Sequence, residues 1–221
     1  MNQSETGNEA VLVQPTEPAL TSSETKENSK DLLTCCEPLF FPVSEGKLMN
    51  MYILSFGLYG VFWFYKNWKL QQKLMSKKIY PMWRAIFSIF FTHSLFKRID
   101  EQASNLERQH KFNASSLATF FVFAIVLSNV LDRLAMNTAM LDSISDNTIV
   151  ILSLVLFLSS TYPLIKVQAT VNRINNDMLG YLNYKYSVAN YALMAIGTVL
   201  WLLIAFGLLL DSAGFVTGNN I

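Results

Sequence analysis

Few residues in this chain could make or break bonds, and they are not gathered. His93 and His110 are its histidines, and Cys35 and Cys36 its cysteines. Adjacent cysteines do not form a stapling disulfide, and no second pair completes a zinc site. They are expected to be plain thiols, with acylation as the alternative if they lie beside a membrane. The sequence holds no Gly-rich phosphate loop, no HExxH and no nucleophile with an ordered base. His93 falls among aromatic residues on the polar side of a short helix. The chain is therefore expected not to be an enzyme and to carry no metal or cofactor.

What it offers instead is positive charge set among aromatics. In VFWFYKNWKLQQKLMSKK (Val61 to Lys78) the lysines Lys66, Lys69, Lys73 and Lys77 recur at steps of three and four, one stripe of a helix continuing past Tyr65. Lys78 follows directly, and Arg84 sits a few residues on in PMWRAIF. Lysines attract phosphate as point charges, whereas an arginine can grip it with two parallel hydrogen bonds.

The elements that carry these cations are apolar. Of 221 residues 52% are hydrophobic and 15% charged, against about 25% charged in an ordinary soluble domain. The apolar residues form long runs, which places the chain among integral membrane proteins. Four runs are long enough to cross: 48–65, 117–136, 148–165 and 192–210. An 18-residue helix reaches roughly 27 Å, about one hydrocarbon core. A fifth run, 82–96, would reach only roughly 22 Å. Its Arg84, Ser88 and Thr92 share one helix face while Trp83, Phe87, Phe90 and Phe91 cover the rest, the pattern of an interfacial or re-entrant helix. Pro81 suits its first turn. The expected fold is all-α, with four transmembrane helices and one short interfacial or re-entrant aromatic helix; five transmembrane helices is the alternative.

Outside this domain (48–210) the chain is different. Residues 1–31 hold six acids against Lys26 and Lys30 and no aromatic, too little apolar surface to offset chain entropy, so a disordered acidic tail is expected. No cleavable leader is expected there. Residues 32–47 form a juxtamembrane segment in which Pro38 to Pro42 lies on the membrane face and Ser44 caps a helix. Residues 211–221 form a C-terminal tail.

Loop 66–81 holds five lysines and no acid, loop 97–116 holds Lys97, Arg98, Arg108 and Lys111, and loop 166–191 holds Lys166, Arg173 and Lys185. Loop 137–147 has only Asp142 and Asp146. Positive charge collects on the cytoplasmic side, so loops 97–116 and 166–191 are expected inside, the C-terminus outside, and loop 66–81 inside if 82–96 does not cross. That arrangement puts the N-terminal tail outside. Lys66, Lys69, Lys73, Lys77, Lys78 and Arg84 then become candidate contacts for anionic lipid headgroups, each charge worth roughly 1 kcal/mol at such a surface. Tyr65 and Trp68 serve as headgroup-level anchors. Amphipathic faces over 97–112 (Ile99, Ala103, Leu106, His110) and 166–179 (Val167, Val171, Ile174, Met178, opposite Asn172, Asn175 and Asn176) make a cytoplasmic platform. The alternative role for Arg84 is a bond to a loop carbonyl or to a carboxylate such as Asp100, fixing the helix.

The Gly-Leu-Tyr break in the first apolar run, the Trp-Phe-Tyr-Lys-Asn-Trp exit from it, the Trp-Arg-Ala start of the aromatic helix and the later VNRINND stretch resemble a family of bacterial polytopic inner-membrane proteins of unknown function. The resemblance implies a multi-pass location in the bacterial inner membrane and carries no activity or site residue. The expected role is a membrane-embedded scaffold or accessory protein, contacting anionic lipid and a protein partner or a second copy through its cytoplasmic helices. A small oligomeric channel or transporter component is the alternative. Nucleic acid is not expected, since the membrane accounts for the charge. With Cys35 and Cys36 replaced by serine, a cysteine at position 75 should label from the same side as loops 97–116 and 166–191; labelling from the opposite side would mean that 82–96 crosses.

Overall fold

The computed structural model describes residues 38–106, 113–135 and 146–212. The expected acidic tail, Cys35, Cys36 and His110 lie outside them. Among the described residues the fold is all-helical. Its helices are α1 (Glu45–Leu54), α2 (Leu58–Leu74), α3 (Pro81–Ile86), α4 (Ser88–Asn105), α5 (Ala114–Ala135), α6 (Asp146–Ser159), α7 (Thr161–Ile174) and α8 (Val188–Ser212), with a 3-10 turn at Tyr181–Asn183.

Three helices are long and apolar enough to cross a membrane: Ala114–Leu134, Asn147–Ile174 and Val188–Leu210. They correspond to three of the four expected crossings. The middle one joins α6 to α7 through Ser160, which keeps right-handed helical angles (φ −65°, ψ −15°) and donates its N–H to Leu156 O at 3.1 Å. The interruption has a local cause. Pro163 lacks an N–H, and the hydroxyls of Ser159, Ser160 and Thr161 each turn back onto the carbonyl three residues earlier.

The remaining expected crossing, 48–65, is not one helix. Ser55, Phe56 and Gly57 separate α1 from α2, with φ of 50° at Phe56 and 84° at Gly57. Gly57 takes this left-handed backbone without a Cβ clash, whereas Phe56 is held there by its surroundings. The chain then doubles back. At one end of the pair, Phe41 donates its N–H to Asn67 Oδ1 at 3.0 Å and Gln71 Nε2 reaches Leu39 O at 2.9 Å, so the segment before α1 lies beside the last turns of α2. At the other end Gly60 sits on the Tyr52 ring, where a Cβ would come within 2.8 Å of Cε2. Ser44 caps α1 as expected, accepting from the Lys47 N–H at 3.3 Å.

The aromatic run 82–96 is also two helices, α3 and α4, hinged at Phe87 (φ −93°, ψ 39°), with Pro81 in the first turn of α3. Arg84 of α3 stacks on Trp68, and Arg98 of α4 bonds Gln71, less than one turn further along α2. Both arms thus return to the same end of α2. Of the two forms expected for this element, the doubled-back one matches this geometry.

Polar side chains on α2, on α7 and just past its end tie the α1–α2 pair to the α6–α7 helix. Gln168 accepts from Trp63 Nε1 at 2.6 Å and donates to Asn172 Oδ1 at 2.7 Å, and Asn172 donates to Val43 O at 3.1 Å. Asn175 donates to Phe40 O at 2.8 Å. Asn172, expected to face away from the apolar stripe, is therefore fully buried. Ile99, Ala103, Val167, Val171 and Ile174 are buried as expected, while Leu106 and Met178 are exposed because α4 and α7 have already ended.

The last helix makes its closest approach to this body at one small residue. Gly197 of α8 rests against the carbonyl of Leu54, and Trp201 donates Nε1 to Ile53 O at 3.1 Å while stacking on Phe56. Close backbone approach through small residues is the usual basis of helix contact in lipid. At Gly207, by contrast, an added Cβ meets nothing within 4 Å. Gly197→Ala should lower thermal stability in detergent by about 1–3 kcal/mol through overpacking. Gly207→Ala should be neutral or gain up to about 1 kcal/mol from helix propensity.

Candidate functional site

The expected lysine stripe holds for part of its length. Helix α2 ends at Leu74, so Lys66, Lys69 and Lys73 share a helix, whereas Lys77 and Lys78 lie in the connection to α3. That connection is pinned back by Gln72 Nε2 on Ile79 O at 2.9 Å. Lys66 is half-buried, its ammonium 5.4 Å from the Phe62 ring and 5.9 Å from Phe41. Lys69 lies over Tyr65 and Lys78 over Tyr80, each at 5.9 Å. Lys69, Lys73, Lys77 and Lys78 are exposed.

Trp68 corrects a second expectation. It is not a headgroup-level anchor, because α3 and α4 fold over it and leave it 0% exposed. Arg84 covers one side of the indole, its guanidinium carbon 4.4 Å from the ring centroid and 5.0 Å from that of Phe91. Such stacking stabilises by about 0.5–2 kcal/mol, more as water is excluded. The Trp68 Nε1–H is buried with no hydrogen-bond partner.

Arg98 joins this corner from α4. It is half-buried and donates Nη1 to Gln71 Oε1 at 3.2 Å. Burial pushes the Arg84 guanidinium below its ordinary value, and the nearby Arg98 charge pushes it the same way. Among the described residues the Arg98 guanidinium meets that one amide oxygen, the Arg84 guanidinium meets the two rings, and neither meets a carboxylate. Asp100, the alternative partner for Arg84, instead lines a separate recess with His93, Lys97 and Asn113 between α4 and α5. Glu101 pairs with Lys97 at 3.7 Å, both exposed, a contact worth little in water.

Two half-buried guanidiniums repel each other, and each carries five fixed donors. A tetrahedral or planar oxyanion placed between them would accept several of those donors and remove the repulsion. Catalysis by proton transfer is outside the reach of such a pair at neutral pH, because arginine keeps its proton. No group of three His, Cys, Asp or Glu side chains able to hold a metal occurs among the described residues.

The sequence pointed to Arg84 and not to Arg98, which looked like one more cation in a charged loop. The clue was available only indirectly: once the chain reverses at Phe87, cations on both sides of that residue come to the same end. Lys47 was also unmarked. It is buried, its ammonium bonds Asn183 Oδ1 at 2.7 Å and Lys185 O at 2.6 Å, and burial pushes its pKa down. These carbonyls dock the α7–α8 loop on the start of α1.

Comparison with family models, with curated proteins and with solved structures gives no match. The two tryptophans of α2 provide a direct check on the geometry. Trp63→Phe strands Gln168 Oε1 in a buried site and should cost about 1–3 kcal/mol beyond the change in volume. Trp68→Phe removes an indole N–H that has no partner, so in lipid-free detergent its extra cost should be smaller. Thermal unfolding of the two variants side by side measures the difference.

Proposed function

We propose that this chain is a non-catalytic membrane protein that holds an anionic lipid at its basic end, acting as a membrane-embedded scaffold. The observation that carries this reading is the Arg84–Arg98 pair, half-buried and facing no carboxylate among the described residues. Lipid phosphate fits the pair chemically, since guanidinium and phosphate match through parallel hydrogen bonds. Lys66, Lys69, Lys73, Lys77 and Lys78 lie on α2 and the connection to α3, and they raise the local concentration of anionic lipid without selecting it, by roughly 1 kcal/mol per charge near the surface. The arginines select; the lysines collect.

The same reading assigns the basic end to the cytoplasmic side of a bacterial inner membrane. Support comes from the doubled-back α1–α2 pair, which puts Pro38–Ser44 at the end where α2 finishes. Lys47, Lys66, Lys69, Lys73, Arg98 and Arg173 then gather on one side, as the positive-inside rule favours. The acidic tail need not be exported, contrary to the arrangement derived from four crossings.

Native mass spectrometry in mixed anionic and zwitterionic lipid tests the site. Wild type should retain anionic lipid, Arg84→Lys should retain less, and Arg84→Gln with Arg98→Gln should retain no more than zwitterionic lipid. The lysine changes Lys77→Gln and Lys78→Gln should weaken retention mainly at low salt, where screening is least. Equal retention by wild type and both arginine variants, with their folding verified by thermal unfolding, would overturn the reading.

A further inference from the structure

The two doubled-back pairs stop at the same depth, and α8 measures it. Asn50 of α1 bonds Tyr186, just before α8 begins, and Leu54 lies on Gly197. From Val188 to Gly197 is about 14 Å of helix, close to half of a roughly 30 Å hydrocarbon core. The α6–α7 rod gives the same depth independently. The Tyr52 hydroxyl meets Ser160 Oγ at 2.9 Å, and Ser160 stands about 20 Å from the far end of the rod at Asn147. The α3–α4 hinge arrives there too. Gly57, Gly60, Phe64, Ser88 and Ile125 line one cavity of about 200 Å³ between the two turns.

The consequence is a body of unequal halves. Among the described residues, the arginine-bearing half contains α1, α2, α3, α4, the first part of α5, α7 and the first part of α8. Of the described residues, the other half contains the end of α5, α6 and the end of α8. Four additional helices, each about 10–12 Å across, add roughly 300–450 Å² of cross-section to one leaflet. Below the turns no other described helix covers this face of α5, and a groove of about 670 Å³ runs past Ile89, Ile125, Val126 and Val130, with Asn129 and Arg133 as its polar members. In the wide half, Trp83, Ile86, Phe87 and Phe90 are exposed on the outer side of the α3–α4 pair, a perimeter suited to acyl chains.

We infer that the chain is a leaflet wedge: it binds most favourably to a bilayer that is convex on the arginine-bearing side. Inserting more area into one leaflet than the other is relieved where that leaflet is already expanded, which is why shallowly inserted helices sense curvature. The partner is the curved bilayer itself, with chains of the narrow-side leaflet filling the groove beside α5. This inference does not rest on the headgroup reading, since shape and not charge carries it.

The test uses the full chain in purely zwitterionic vesicles spanning a wide range of diameters, with Cys35→Ser, Cys36→Ser and Met75→Cys to carry one fluorophore. A membrane-impermeant quencher separates molecules whose residue 75 faces outward from those facing inward. Density per unit area of the outward population should rise as diameter falls, and that of the inward population should fall. Density independent of diameter in both populations would overturn the inference. So would an equal rise in both, which would mean a response to loose lipid packing without regard to leaflet.

Discussion

A chain that reverses among packed apolar side chains must satisfy its own backbone, because little water is there to do it. The turn between α1 and α2 meets this demand group by group. The Phe56 N–H goes to Ile53 O at 3.2 Å, the Gly57 N–H to Tyr52 O at 2.9 Å, and the Leu58 N–H to Ser55 O at 3.0 Å. The Tyr59 N–H is taken by the Ser55 hydroxyl at 2.9 Å, a cap supplied from within the turn. Ile53 O receives a second donor from Trp201. The positive φ at Phe56 and Gly57 is the geometric cost of closing these bonds in three residues.

The same demand recurs near the basic end, where Leu39 to Val43 run as irregular backbone before α1. Their carbonyls and N–H groups would be orphaned against apolar helices. Asn67, Gln71, Gln168, Asn172 and Asn175 act as a row of amide side chains that receives them. An amide can donate and accept at once, so Gln168 links Trp63, Asn172 and Phe41 O in a single buried network. Burial without charge is what makes this row compatible with its surroundings.

The features legible in the sequence are the ones decided locally. Ser44 as a cap, Pro81 in a first turn and the three long apolar helices follow from spacing and hydropathy alone. The reversal at 55–57 does not, because summed hydropathy over 48–65 is the same whether the run crosses or folds on itself. Asn50, Ser55 and Gly57 were its trace. Trp68 was misplaced for a related reason: its burial depends on α3 and α4 returning over α2, a tertiary event that periodicity on α2 cannot register. The stripe logic succeeded through Lys73 and failed at Lys77, since nothing between Leu74 and Pro81 carries a strong stop signal beyond the proline itself. The pairing of Arg98 with Arg84 was invisible until both reversals were known.

The contact between Ile53 and Trp201 also orders events during synthesis. Its partners are 148 residues apart, and Gln168 lies 105 residues beyond Trp63. In a chain made from its N-terminus, residues 48–65 therefore exist long before the residues that complete the turn. Until α7 and α8 arrive, Ile53 O lacks its indole donor and Trp63 lacks its amide, and an uninterrupted crossing is the competing arrangement for the same residues. The C-terminal helices are thus not merely added to a finished hairpin. They supply partners for two of the hydrogen bonds that the hairpin makes.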